Sequence, residues 1–148
     1  MERERARELL VEWDNVTPSL GSREQRTTIG LILEQQIPEP NHAAAFVDQE
    51  DTPLIGVVSE QTLYLVRAID GTETLHPGAE CLTIPLTRDR SGVTLAQHWA
   101  ADAAPSVIHR RWHFDLGGFV LKLATVELHG EAAPVAQAFA AGLAAATR

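Results

Sequence analysis

The residues of this chain best suited to chemistry lie between Val107 and Val126, where His109, Arg111 and His113 alternate along one stretch and Lys122 follows the Gly117-Gly118 pair. Residues two apart share one face of a β-strand, and a face carrying Arg, Lys and imidazoles can hold an anion through charge-assisted hydrogen bonds. Folding VIHRRWHFDLGGFVLKLATV into a hairpin with Asp115 to Gly118 as a four-residue loop sets Phe114 opposite Phe119, Trp112 opposite Leu121, Arg110 opposite Leu123 and Ile108 opposite Thr125. That face reads as core. The other face then carries His113 beside Val120, Arg111 beside Lys122 and His109 beside Ala124. Like charges directly across a ladder destabilise it, so an acid is expected between Arg111 and Lys122. An acid on the next strand is the first expectation. The second is an acidic group on a partner, which makes His109, Arg111, His113 and Lys122 a candidate anion or partner patch.

Other chemistries find less support. His109 and His113 stand four residues apart, roughly 13 Å along a strand, too far to share one metal ion. The residue at ligand spacing between them is Arg111, which repels a cation, and His42, His76, His98 and His129 fall in expected loops or element ends. Ser59 sits in GVVSEQ rather than in a nucleophile elbow, and nothing beside Cys81 would lower a thiol pKa. Gly117 and Gly118 lack the Lys and Ser or Thr of a phosphate loop. Asp48, Glu50 and Asp51 lack the Gly and terminal Glu of an EF-hand, and Trp112 and Phe114 read as core rather than as pocket walls. No catalytic residue, cofactor or metal is expected, and the chain reads as a non-enzyme.

Bulk properties narrow the partners. At 148 residues the chain has the size of a single domain. Its net charge of -8 opposes nucleic acid, so no nucleic-acid partner is expected. One cysteine excludes an intrachain disulfide and suits a reducing cytoplasm. The opening MERERARELLVEW is charged from its second residue and has no apolar signal core. No apolar run reaches the roughly 20 residues of a membrane span, so stable membrane insertion is not expected.

The elements that must position the patch begin with a helical segment over residues 1–37. Ala6, Leu9, Leu10 and Trp13 recur at helical spacing, and the helix should stop near Asp14 and Asn15. Ser22 and Gln25 form a capping-box pattern ahead of Ile29, Ile32, Leu33 and Gln36, which predicts a second helix, although Thr27, Thr28 and Gly30 also permit a strand. Residues 43–126 read as an antiparallel sheet. AAAFV is its first run, and LIGVVS and TLYLVR flank Glu60-Gln61, so a two-residue turn pairs Ser59 with Thr62, Val58 with Leu63 and Val57 with Tyr64.

That hairpin has two apolar faces. Leu54, Val58, Leu63 and Leu65 lie on one, and Ile55, Val57, Tyr64 and Val66 on the other, so something must cover the second. The N-terminal helices are the nearest cover and a second copy of the chain is the alternative. Further on, a brief strand is expected at Thr72 to Leu75 and another at Cys81 to Leu86, the latter at a sheet edge because of Pro85. The Thr94 and Gln97 capping-box pattern predicts a short helix from Thr94 to Ala104. A final helix over residues 131–147 repeats Val135, Phe139 and Leu143, with Pro134 tolerable in its first turn.

LIGVVSEQTLYLVR, RRWHFDLGGFVLKLATVE and EAAPVAQAFAAGLAAAT together make a run of strands finished by one amphipathic helix. This order resembles the bacterial pleckstrin-homology-like superfold over roughly Ala43 to the end. The resemblance implies an α+β fold in which a strongly bent antiparallel sheet, or partly open barrel, is plugged by the C-terminal helix. The N-terminal helices are additions to that pattern, and an α+β sandwich with a curved sheet is the competing architecture. Phosphoinositide-binding members carry a basic loop between their first two strands. Here that loop is VDQEDTP, which is acidic.

The sequence thus leads to a cytoplasmic, non-catalytic protein-interaction or scaffolding module whose partner is another protein, with a homodimer as the simplest cover for a leftover apolar face. A small acidic inhibitor or immunity-type protein is one alternative. A small-molecule carrier or enzyme with a pocket between the sheet and the N-terminal helices is the other.

Overall fold

The computed structural model describes residues 1–17, 23–47, 52–74, 77–86, 93–101, 107–116, 120–128 and 134–146. Over the last four of these segments, side chains are described at Asp115, Val120, Leu121, Phe139 and residues 141–146. The element order is α1 (Arg3–Val16), α2 (Arg23–Gln35), β1 (His42–Val47), β2 (Pro53–Ser59), β3 (Thr62–Ile69), β4 (Gly78–Pro85), β5 (Val93–Ala101), β6 (Val107–Leu116), β7 (Val120–Leu128) and α3 (Pro134–Ala146). The fold is α+β. An open four-stranded antiparallel sheet runs in the order β1-β2-β3-β4, and β5-β6-β7 form a second, three-stranded antiparallel sheet.

The β2–β3 hairpin explains the layering. Its register is Ser59 opposite Thr62, Val58 opposite Leu63 and Val57 opposite Tyr64, as its two-residue turn requires. Glu60, at the first turn position, takes φ 54, the left-handed region such a tight turn demands. Its N–H is held by Asn41 Oδ1 at 2.7 Å. Because side chains alternate, Ile55, Val57 and Val66 meet Leu9, Leu10 and Trp13 of α1 and Ile29 and Leu33 of α2. On the opposite side Leu54, Val58, Leu63 and Leu65 meet Phe139 and Leu143 of α3 and Leu121 of β7. The chain's own helices cover both apolar faces of the hairpin, so burial of the hairpin requires no second copy.

Residues 23–35 adopt the helical alternative. Thr28 turns its hydroxyl back onto Glu24 O at 2.8 Å, which lets a β-branched residue sit in a helix. A Cβ at Gly30 would come within 3.3 Å of Leu10 Cδ1, so this glycine allows α1 to approach α2 closely. Gln25 is buried and reaches across to β3 and its exit, donating to Ile69 O at 3.0 Å and Asp70 Oδ1 at 3.2 Å. Ser22, its expected capping partner, lies outside the described residues. Gln36 is exposed, and Ile37 takes the buried place instead.

Helix α1 also closes an edge of the sheet. Edge strands carry backbone groups that lack a ladder partner. On β1, Glu12 Oε2 accepts from Ala45 N at 3.2 Å and Arg5 Nη2 donates to Ala43 O at 3.3 Å. Arg26 holds Asp14 through two nitrogens at 3.1 and 3.2 Å, tying α2 to α1. The Met1 ammonium donates to Leu33 O at 3.0 Å, near the carbonyl-rich end of α2.

Three expectations are corrected. The Thr94 to Ala104 helix is replaced by strand β5, because pairing along the whole of β6, from Val93 opposite Leu116 to Ala101 opposite Ile108, outweighs a local helix signal. Residues 72–74 belong to no strand, whereas the expected edge strand at Cys81 begins earlier, at Gly78, and ends at Pro85. The β6–β7 hairpin closes on Asp115 opposite Val120 rather than on Phe114 opposite Phe119, which slides its register by two residues.

Candidate functional site

The slide in register rearranges the candidate patch while preserving its parity. His113 lies opposite Lys122, Arg111 opposite Ala124 and His109 opposite Val126. The Arg111–Lys122 confrontation is therefore relaxed to a diagonal, because the ladder closes on Asp115 opposite Val120. On the other side of β6, Arg111 lies opposite His98 of β5, His113 opposite Ala96 and His109 opposite Ala100.

Two described residues of β7 set the direction of each parity. Leu121 is only 2% exposed and belongs to the core around Phe139 and Leu143, while its neighbour Val120 is 45% exposed. Strand alternation gives Lys122 the parity of Val120, and the ladder extends that parity to His109, Arg111 and His113 on β6 and His98 on β5. The row Leu95, Phe114, Leu121 has the core parity. The candidate positions therefore share the parity opposite to that of the core residue Leu121.

An acid on the next strand was the first expected partner for the patch, and β5 does not supply one: VTLAQHWAA contains no acidic residue. On β7 the acid is Glu127, which lies opposite Ile108 at the other parity. Asp115, one residue before the end of β6, is the single acid of these three strands that shares the patch parity. His98 was missed in the sequence because a helix reading of its segment hid the alternation of Leu95, Gln97 and Trp99 against Ala96, His98 and Ala100. That alternation was the available signal.

The remaining reactive side chains are tied into structure or held in a quiet form. Ser59 is buried and donates its hydroxyl to Glu39 O at 2.9 Å, which fixes the chain entering β1. Cys81 is exposed on edge strand β4, yet partial burial pushes its thiol pKa up, against a smaller opposing effect of the hydrogen bond with Thr83. A raised pKa leaves less thiolate for nucleophilic attack at neutral pH. His42 opens β1 with its ring against Gly142 of α3, a packing role. Among the described residues no group of three or more His, Cys, Asp or Glu side chains could hold a metal ion. His76, His129 and the acidic loop residues Asp48, Glu50 and Asp51 lie outside the described residues. Among the described residues no helix is long and apolar enough to cross a membrane.

Comparison of the chain with family models, with curated proteins and with solved structures found no match in any of the three.

Proposed function

We propose that this protein is a non-catalytic interaction module of the cytoplasm, with a pleckstrin-homology-like fold, that engages another protein through the β5–β6–β7 face. The observation carrying this reading is the gathering of cationic residues at one parity of that sheet. Leu121, of the other parity, joins Phe139 and Leu143 in the core, that parity also holding Arg110 and Glu127, whereas His109, Arg111, His113 and Lys122 share theirs with one acid, Asp115. A cationic strip on a chain of net charge -8 creates a local field opposite to the whole, which favours orientation-specific encounter with an acidic partner. The fold assignment is supported by the antiparallel strand order ending in a helix whose Phe139 and Leu143 enter the core.

The carrier or enzyme reading draws little support from the layer between α1, α2 and the sheet, since Trp13, Leu9, Ile29, Leu33, Ile55, Val57 and Val66 occupy it. The test of the interaction role is affinity capture from the native host with wild-type and Arg111→Glu proteins side by side. A host protein retained by the first and released by the second is the expected result. Identical captured sets would remove the face from consideration.

A further inference from the structure

Register adds a residue to the patch and makes it a strip three strands wide. His98 of β5 stands opposite Arg111 of β6, and His113 of β6 stands opposite Lys122 of β7. Neighbouring strands lie about 4.8 Å apart, so the strip is about 10 Å across. Along β6, positions 109, 111 and 113 repeat at roughly 6.6 Å, which is also the repeat of alternate side chains in any extended peptide. The rest of this parity is Thr94, Ala96 and Ala100 on β5, Val107 on β6 and Val120, Ala124, Val126 and Leu128 on β7, none of them titratable, with Asp115 near the end of β6.

Resting on the interaction role argued above, we propose that this strip receives an acidic, extended peptide segment of the partner, laid along β6 with alternate carboxylates meeting positions 109, 111 and 113. Charge selects the occupant. Nucleic acid and anionic membranes are extended polyanions that the net charge of -8 repels, whereas a short acidic segment meets only the local strip. Arg111 and Lys122 give the strip its fixed positive charge, and His98, His109 and His113 add imidazoles at the same parity.

The test is fluorescence anisotropy with a labelled hexaglutamate peptide, with hexaglutamine as control and thermal melts to verify folding. Wild-type protein should bind hexaglutamate several-fold more tightly than hexaglutamine. Arg111→Glu should weaken binding by about tenfold or more, and Arg111→Lys should retain most of it. His98→Ala should weaken binding by about threefold or more. Wild-type affinity in His98→Ala would overturn the three-strand strip while leaving the patch around Arg111 standing. Hexaglutamate binding no tighter than hexaglutamine, or binding to phosphatidylserine vesicles in its place, would overturn the acidic segment. The host capture experiment then judges the interaction role separately.

Discussion

The ring of Phe139 in α3 lies directly over the backbone of Gly56 in β2, where a Cβ would stand 2.5 Å from Phe139 Cζ. Phe46 of β1 completes the contact, its ring centroid 5.2 Å from that of Phe139 at an interplanar angle of 33°. The missing side chain at position 56 is thus the socket that seats the C-terminal helix on the first sheet. Overpacking this site should cost about 1–3 kcal/mol for Gly56→Ala, and emptying it about 3–5 kcal/mol for Phe139→Ala. Urea unfolding measures both, and a Gly56→Ala protein with an unchanged midpoint would show that the helix is seated some other way.

The β1 edge depends on two side chains of α1. Glu12→Ala removes the acceptor for Ala45 N, and a buried donor left without a partner costs about 1–3 kcal/mol. Hydrogen exchange at the Ala45 amide should accelerate in this variant. Combining it with Arg5→Ala uncovers Ala43 O as well, and light scattering should then report concentration-dependent association through the exposed strand.

Trp13 fills the layer beneath α1 at 2% exposure, with its indole N–H buried and unpartnered among the described residues. Trp13→Phe keeps much of the apolar contact and removes the unsatisfied donor. It should therefore cost less than about 2 kcal/mol, against about 3–5 kcal/mol for Trp13→Ala. Thermal melts of the pair decide, and equal losses would mean that the N–H is satisfied in solution.

Cys81 supplies a pH signature. Its folded thiol pKa is raised by partial burial, so the neutral thiol is the favoured form of the native state. The associated stability is fully present below the unfolded thiol value, about 8.5, and is lost as the pH rises through the higher folded value. Alkylation by iodoacetamide between pH 7 and 10 should run slower on native than on urea-unfolded protein, and slower still in Thr83→Val, which lacks the hydrogen bond that favours the thiolate. Equal native and unfolded rates would contradict the burial of this thiol.

How much of the fold was legible depended on whether the deciding interaction was local. The β2–β3 register could be read directly, because only a two-residue turn joins Ser59 to Thr62 and a slip of one residue would exchange two well-defined apolar sets. Helix α1 was legible for the same reason: Ala6, Leu9, Leu10 and Trp13 make one stripe under any tertiary arrangement. Strand β5 was not legible, since Thr94, Gln97 and the alanines favour a helix locally and only the ladder with β6 supplies the opposing free energy. The site was legible in part. Alternation along β6 marked His109, Arg111 and His113, but a ladder closing on Phe114 opposite Phe119 or on Asp115 opposite Val120 keeps the same parity, so the choice of partner for Lys122 lay beyond local rules.

Residue type and spacing therefore determined the shared parity of His109, Arg111, His113 and Lys122 and the need to cover both faces of the central hairpin, because alternation and amphipathic periodicity are properties of the chain itself. Tertiary structure decided which helices supply that cover, that α1 also caps the β1 edge, and that His98 joins Arg111 across β5 and β6. Those outcomes rest on contacts between residues far apart in sequence, whose free energies exist only once the layers have assembled.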